Sequence, residues 1–295
     1  MYKTTLPFAV VATLVLTSCN YRVQEIDRTP ESAQVSVRVS GFDISIQDLP
    51  STRALQDVDS YTSVGAITLA FYSDETQVFK ATQIKSDQTS YTTFGDFSCN
   101  LPLGTYTVVA LGYYYSDGDV LALTSPTQAS YTSERPRETF AATGTVNLTT
   151  AEGYELQLEL DRITSKLQII STDGRPADIT RIRTSFSAGS KSFNPTTGLA
   201  LDDEGFSQTN NPSKAAGQAI DISLFPFLTS QEQLIDITIQ TMDAAQNVVS
   251  THVINDVPFE INRATILKGP LFSATMSSTA FQLETAWLDP VTILF

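Results

Sequence analysis

A two-residue alternation of apolar and polar side chains is the feature that most constrains the fold. Residues 35–39 read Val-Ser-Val-Arg-Val, and residues 154–160 read Tyr-Glu-Leu-Gln-Leu-Glu-Leu. This period places apolar side chains on one face of a strand. Helical periodicity is nearly absent; Pro212–Ala219 has room for a single turn. Many short strands separated by Gly, Asp, Asn and Pro predict an all-β protein built of antiparallel β-sandwiches.

The first strand pattern contains a change of phase. Apolar residues occupy odd positions up to Val39 and even positions from Phe42 to Ile46, which predicts a bulge or bend at Ser40–Gly41. The polar segment Asp48–Ser63 predicts a loop, and Asp117–Gly118 predicts a turn. The remaining strand patterns are Ile67–Phe71, Val78–Phe79, Thr92–Phe94, Thr105–Tyr115, Val120–Leu123, Leu167–Ile169, Ile179–Ile182, Ile220–Leu224, Ile235–Ile239, Val248–Val249, Thr265–Leu267 and Phe281–Leu283.

The N-terminus has the parts of an export signal. Lys3 supplies a positive charge, Leu6–Leu16 is mostly apolar, and the small residues Thr17 and Ser18 precede Cys19. The apolar run is shorter than the ~20 residues that a membrane-spanning helix needs. A cysteine at this place resembles a bacterial lipoprotein box, in which the chain is cut before the cysteine and the cysteine carries acyl chains. The alternative is an ordinary signal peptide with an incidental cysteine.

Charge and size limit the classes of function. The 295 residues include 18 Lys and Arg against 32 Asp and Glu, a net charge of -14. This balance disfavours nucleic-acid binding, which needs a basic face. It also disfavours adsorption to anionic lipid, so we expect attachment to the membrane to depend on the acyl chains, palmitate among them, at Cys19. Since ~0.8 kcal/mol is gained per buried CH2, three acyl chains would make release negligible.

The length predicts two domains. A hydrophobic content of 41% is enough for a packed core, and one sandwich takes roughly 100 residues. The polar stretch before the first strand resembles a flexible tether, and we place the domain boundary near Asp161. The predicted segments are a signal peptide at 1–18, a lipidated tether at 19–33, an N-terminal β-sandwich at 34–160 and a C-terminal β-sandwich at 161–295.

Candidate chemistry is sparse, so we predict neither enzymatic activity, nor a cofactor, nor a metal site. Cys99 lies between Phe97 and Leu101 in an alternating sequence, so we predict that its thiol is buried and inert. His252, the single histidine, lies in a strand pattern and cannot form a histidine-based zinc cluster. Two acidic turns, 117–119 and 202–205, do not have the ligand spacing of a calcium loop, and hairpin turns are favoured.

Three further segments carry a resemblance to one family. Leu101–Ala110 resembles the Gly-x-Tyr strand of Bacteroidales fimbrillin-like proteins. Leu160–Leu167 resembles the Arg-x-x-x-Lys segment that opens their second domain, with Arg162 and Lys166 at the named positions. Val257–Gly269 resembles their Val-Pro…Asn-Arg-x-Thr-x-Leu-x-Gly segment. Together with the lipoprotein box, these segments resemble the fimbrial anchor and fimbrillin proteins of type V pili.

The resemblance implies two transthyretin-like, Greek-key β-sandwich domains and a surface-exposed position on the cell outer membrane, lipid-anchored and part of a fimbrium. It also implies partners, namely other fimbrial subunits joined by strand exchange. A sandwich that lacks one strand exposes unpaired backbone groups and apolar side chains. An extended segment from a neighbouring subunit fills such a groove by β-augmentation.

The resemblance makes Arg53 a possible proteolytic processing site. In the stalk pilins of this family, a trypsin-like protease cuts after an Arg near the first strand, and Arg53 lies in the predicted polar loop. If Arg53 is cut, residues 19–53 leave and the mature chain starts at Ala54. If it is not cut, the chain stays lipidated and anchors a fibre. An ordinary exposed loop arginine is the other interpretation, and anchor, stalk and tip roles stay open.

The C-terminus and the aromatic residues leave further alternatives. Phe281–Trp287 and Val291–Phe295 predict either a donor strand for a neighbour or a final strand of the chain's own sheet, and the second is favoured. A surface glycan-binding lipoprotein is the alternative function, with Tyr113–Tyr115 or Trp287 as exposed rings. In that case the adhesion target would be a glycan. A hydrolase would need a cleft with two facing carboxylates.

Overall fold

A computed structural model describes residues 31–45, 53–58, 61–116, 119–273, 282–285 and 291–293. The all-β prediction is confirmed, because the described residues form twenty-one strands and no helix. Within the same ranges, a helix with the length and apolar character needed to cross a membrane is not found.

Ten strands belong to the first half of the chain and eleven to the second. The first ten are β1 (Ser32–Ser45), β2 (Arg53–Asp57), β3 (Ala66–Ser73), β4 (Thr76–Ile84), β5 (Asp96–Pro102), β6 (Gly104–Tyr113), β7 (Leu121–Ser125), β8 (Gln128–Tyr131), β9 (Thr139–Leu148) and β10 (Tyr154–Arg162). The others are β11 (Lys166–Ser171), β12 (Arg181–Phe186), β13 (Ser192–Asn194), β14 (Leu199–Ala200), β15 (Phe206–Asn210), β16 (Asp221–Leu224), β17 (Glu232–Met242), β18 (Val248–Glu260), β19 (Ala264–Gly269), β20 (Gln282–Thr285) and β21 (Val291–Ile293).

One eight-stranded sheet folds over on itself to enclose the first core. The strand order is β2-β1-β10-β9-β6-β3-β4, with β5 paired to the other part of β1. β10 meets β9 only at its last two residues, Asp161 and Arg162, and the two strands diverge from there. Apolar side chains of β1, β5 and β10 therefore pack against those of β3, β6 and β9 in one hydrophobic cluster.

A second cluster lies on the opposite face of β3 and β6. Ala70 and Tyr72 of β3 and Val109 and Leu111 of β6 are fully buried there. They are covered by a four-stranded sheet of order β14-β13-β8-β7, which takes two strands from each half of the chain. This shared sheet explains why β3 is buried on both faces over residues 66–72.

The second half builds its own core from two sheets. The first has the order β16-β11-β19-β20-β21 and the second β15-β12-β17-β18. Their alternating Ile, Leu, Val and Phe side chains form a separate buried cluster. The division of the chain into residues 34–160 and 161–295 stays a prediction, as does the transthyretin-like arrangement; the proposed boundary at Asp161 falls inside β10.

Most strand pairs are antiparallel as predicted, but two are parallel: β1 with β10 and β11 with β19. In each half, the first strand runs beside one of the last strands in the same direction. Alternation along a strand does not depend on the direction of its neighbour. The sequence pattern could therefore not distinguish these two pairs from the others.

Two local predictions were wrong. Thr92–Phe94 is not a strand; the chain turns there, and β5 begins at Asp96. Gly95 has a φ of 93° and lies between the two, a conformation that ends regular extension. The predicted loop 48–63 also contains a strand, because β2 forms within it and pairs with β1.

Candidate functional site: the first strand and its groove

The candidate site is β1 together with the strands on either side of it. On one side β1 pairs in parallel with β10, and on the other its first part pairs antiparallel with β5. Val35, for example, lies between Tyr154 of β10 and Cys99 of β5. β1 is therefore an inner strand of the sheet, inserted between two strands that would otherwise present free edges to solvent.

The apolar face of β1 fills the first core. Val35, Val37 and Val39 are at most 3% exposed, and Phe42 is fully buried. Burial of a Val or Phe side chain contributes about 1.5–3 kcal/mol, so these four contribute on the order of 10 kcal/mol. A fold that lost β1 would need another strand with the same alternation to stay closed.

The predicted bulge is present and keeps both parts of β1 in the core. The register with β10 shifts between Val39 and Gly41, so Ser40 is the extra residue. The Ser40 hydroxyl donates a hydrogen bond of 3.2 Å to the carbonyl of Leu158. Without this extra residue, Phe42 would point away from the core, because a one-residue slip moves every side chain to the other face.

The ring of Phe42 connects β1 with aromatic residues that border the second half of the chain. Its ring centroid lies 4.9 Å from that of Phe140 and 5.7 Å from that of Tyr61. The Tyr61 hydroxyl donates a 2.7 Å hydrogen bond to Glu138. Burial raises the pKa of Tyr61 to about 12, so this hydroxyl stays protonated at neutral pH.

Arg162 is the centre of a buried polar cluster. Its guanidinium lies 2.8 Å from Glu138, donates a 2.8 Å hydrogen bond to the Tyr61 hydroxyl and lies over the ring of Phe140. It also donates a 2.6 Å hydrogen bond to Asn262, which follows β18 in the second half. Because a buried charge must be paired and hydrogen-bonded, this cluster fixes how the two halves meet.

Two of the family-like segments therefore contact each other. Arg162 belongs to one and Asn262 to the other, and the backbone N–H of Asn262 also donates to Thr164. In the remaining segment, the Tyr106 hydroxyl donates a 2.8 Å hydrogen bond to the carbonyl of Pro102 and so secures the β5–β6 turn. Each of the three segments thus stabilises a contact between parts of the fold, which is a structural role rather than a chemical one.

Sequence reasoning missed Tyr61 and Glu138. Tyr61 lies in the polar stretch predicted as a loop, and Glu138 immediately precedes β9. Neither stands in a pattern that differs from an ordinary surface residue. Their burial follows from the packing of the halves, for which the local sequence carries no signal.

Of the two predicted site residues, Cys19 lies outside the described residues. Arg53 is the first residue of β2, and its backbone pairs with Ser45 of β1. The bond after Arg53 thus lies in a paired strand. Whether Arg53 is cut and whether Cys19 carries lipid stay predictions.

Cys99 and His252 have structural surroundings. The Cys99 side chain is half-buried, and burial raises the pKa of its thiol to about 11, which keeps the unreactive thiol form at neutral pH. A His252 ring nitrogen lies 2.9 Å from the carbonyl of Leu271, inside the strand β18. This is the structural histidine that the sequence predicted.

Asp117 and Gly118 of the first acidic turn lie outside the described residues, and the described acidic residues of the two turns contact neighbouring protein groups. Asp202 and Asp203 accept hydrogen bonds from Ser190 and from the Gly189 backbone, and Asp119 lies 3.3 Å from Arg137. In the described ranges, no group of three or more His, Cys, Asp or Glu side chains is arranged to hold a metal ion.

The tyrosine run offers one exposed ring. Tyr113 is fully buried, Tyr115 is half-buried, and Tyr114 is 43% exposed with Arg137 over its ring. Trp287 lies outside the described residues. The burial of Tyr113 counts against a stacking platform for sugars built on this run.

A cleft of about 1000 Å³ borders β4, β5, β1 and β10, and its lining includes Asp96 and Glu155. These carboxylates lie on strands either side of β1 and two residues apart in register. Strand spacing of ~4.8 Å and a rise of ~3.3 Å per residue put their Cα atoms roughly 12 Å apart. A Cα separation does not make them a glycosidase pair, whose spacing is defined between the carboxyl groups, and Asp96 lies 3.9 Å from Arg38.

The C-terminal strands lie in the chain's own sheet. β20 pairs antiparallel with β19, and β21 pairs with β20. This agrees with the favoured alternative of a final strand, for residues 282–285 and 291–293. The rest of the two predicted segments lies outside the described residues.

The fold is similar to those of two solved bacterial proteins. A candidate adhesin from Bacteroides ovatus has a TM-score of 0.51 at 11% identity, with 89% of this chain and 95% of that chain covered. The fimbrial anchor protein Mfa2 from Porphyromonas gingivalis has a TM-score of 0.48 at 12% identity, with 86% and 97% covered. The described fold is thus an all-β architecture similar to that of the Bacteroides ovatus protein.

A family model covers nearly the same region. The model described as a family of unknown function, DUF6562, matches residues 30–284, and the chain belongs to this family. No curated protein matches the sequence at a significant level.

Proposed function

We propose that the protein is a non-enzymatic fimbrial or adhesin lipoprotein, exposed on the cell outer membrane and held there by lipid on Cys19. It assembles with other fimbrial subunits by β-strand donation. The observation that carries this proposal is the burial of β1 between β5 and β10, because a strand so placed is the unit that strand donation exchanges. Identity to Mfa2 is 12% and to the adhesin 11%, so their functions do not transfer to this chain. The proposed function therefore depends on the placement of β1.

An anchor role fits the surroundings of Arg53 better than a stalk role. Proteases bind their substrates as extended, unpaired chain. The backbone of Arg53 is paired with Ser45, so cutting requires β2 to separate from β1 first. We propose that β1 is not removed by cleavage, that the lipid at Cys19 is permanent, and that the chain ends or caps a fibre, in which a donor strand has to displace β1 from between β5 and β10.

Mass spectrometry of the mature protein from surface extracts tests both parts. An acylated peptide that begins at Cys19, found in assembled fibres, is the expected result. A mature start at Ala54 would contradict the anchor role and indicate a polymerising stalk subunit. An unacylated start elsewhere would contradict the lipid anchor itself.

A glycan-binding role is the second candidate from the sequence, and Tyr114 is its remaining described ring. A glycan array with the wild type and Tyr114→Ala compares the two. Equal binding, or none, would leave the run Tyr113–Tyr115 without a role in sugar recognition.

A further inference from the structure

Counting the described strands, β10 has one edge without a strand partner along most of its length. On the side of β1 it is paired from Tyr154 to Asp161. On the other side, within the described residues, its strand partners are two residues of β9, opposite Asp161 and Arg162. β9 likewise pairs with β6 alone beyond this point. Among the residues that the structure describes, one flank of the first sandwich is therefore bordered by two strand edges without a strand partner.

The side chains on this flank are covered less than those in the groove. Leu156 and Leu158 of β10 point towards the first core yet are half-buried, as is Ala142 of β9. On the adjacent strand, Val37 is 2% exposed. The difference arises because β1 has strands on both sides, whereas β10 has one. An added strand would complete the burial of Leu156 and Leu158.

The outer face of β10 is acidic. Glu155 and Glu159 are exposed and flank Gln157. If a second copy paired its β10 antiparallel about Gln157, Glu155 of each copy would lie opposite Glu159 of the other. Like charges directly opposite are destabilising, and the chain already carries a net charge of -14. The edge is thus built against self-association and favours a basic partner strand.

We propose that the free edge of β10, residues 154–160, docks an extended segment of a partner protein in which apolar residues alternate with Lys or Arg. Its backbone pairs with β10, its apolar side chains cover Leu156 and Leu158, and its basic side chains lie beside Glu155 and Glu159. This edge is separate from the β1 groove, so docking here adds a second connection to that of the proposed strand exchange.

The test uses the full-length protein in detergent and short synthetic peptides that alternate valine with lysine or with glutamate. Binding is measured by calorimetry and located by amide hydrogen exchange. The lysine peptide is expected to bind about tenfold more tightly than the glutamate peptide, since opposite cross-strand charges stabilise and like charges destabilise. The amides of residues 154–160 should gain protection. Methylation of alternate peptide nitrogens, which removes their hydrogen bonds to β10, should abolish binding.

A charge-reversed variant supplies the decisive comparison. Glu155→Lys/Glu159→Lys should reverse the preference to the glutamate peptide. Glu204→Lys/Glu232→Lys changes the net charge equally at exposed second-half positions and should leave the preference unchanged. The proposal would be overturned if the lysine peptide did not bind, or if both variants changed the preference equally. It would also be overturned if residues 154–160 gained protection by pairing with a second copy of this chain and not with the peptide. If β5 lost protection, the peptide would be displacing β1, which supports the exchange groove but not this edge.

Discussion

At the scale of single residues, polar contacts secure the ends of strands and the meeting of the halves. Tyr154 begins β10, and its hydroxyl oxygen accepts hydrogen bonds from the backbone N–H groups of Thr149 and Thr150. These bonds close the loop between β9 and β10 while the strands above it diverge. At the opposite end of β10, the side chain of Arg162 secures the strand through its polar contacts.

Tyr154 is predicted to ionise early. Hydrogen bonds from Thr149 and Thr150 lower its pKa to about 8, from an ordinary value of 10. The folded state therefore favours tyrosinate, and this stabilisation is fully present above pH 10 and is lost as the pH falls through 8. Ultraviolet absorbance should show one tyrosine ionising near pH 8. That step should vanish in Tyr154→Phe and persist in Tyr61→Phe, and its presence in both variants would contradict the assignment.

Arg162 is predicted to be a major source of stability. Arg162→Ala leaves Glu138 buried without its cation, which should lower the free energy of unfolding by about 3–5 kcal/mol in chemical denaturation. Arg162→Met/Glu138→Leu removes both charges and should cost less than the single change. Equal losses for the two variants would show that the pairing of these charges is not what stabilises the junction.

At the scale of elements, β1 is held by its neighbours and reports on them through Cys99. The cysteine lies opposite Val35 on β5, with its side chain against the first core. Loss of β1 would return the thiol to water and its pKa from about 11 towards the ordinary value of 9.0. The thiolate is the reactive form, so alkylation measures the closure of the groove.

Weakening β1 should therefore accelerate alkylation of Cys99. Val37→Ala removes buried methyl groups from the apolar face and should increase the labelling rate at pH 8, up to about 100-fold when β1 is fully released. Ser36→Ala alters the exposed face of the same strand and should not change the rate. The rate is read from the mass of the Cys99 peptide. Identical rates in both variants would mean that Cys99 does not sense β1.

At the scale of the whole molecule, the two halves are joined by more than the chain between them. β13 pairs with β8 through Phe193 and Ala129, so one sheet contains strands from both halves. The rings of Phe193 and Phe227 stack at 4.4 Å and pack in the cluster that covers β3 and β6. The first half thus depends on second-half residues to bury the outer face of its central strands.

The halves should consequently unfold together. Phe193→Ala is expected to cost about 3–5 kcal/mol and to separate one calorimetric transition into two, because it removes a fully buried ring from the cluster that both halves share. Leu234→Ala, at a side chain 63% exposed on the second half, should leave a single transition at nearly the same temperature. Two transitions in the wild type would contradict this coupling.

Much of the strand layout followed from local pattern, and the exceptions have physical causes. The bulge at Ser40 was predictable because the parity of buried residues changes there. The strand expected at Thr92–Phe94 was wrong because aromatic and β-branched residues also pack in turns, as the rings of Tyr91 and Phe94 do at 5.8 Å. The strand β2, which begins at Arg53, was missed because it lies in a stretch of mostly polar composition.

By itself the sequence determined the all-β class and the apolar face of each main strand, whereas the roles given to Cys19 and Arg53 stay predictions. The strand class and the apolar faces depend on the order of side chains along the chain, because a period of two shows which side chains share a face. The tertiary structure decided which strands pair in parallel, the burial of Arg162 with Asn262 a hundred residues away, and the free edge of β10. These depend on contacts between distant segments, which form according to how whole faces pack and leave no local mark in the residues that make them.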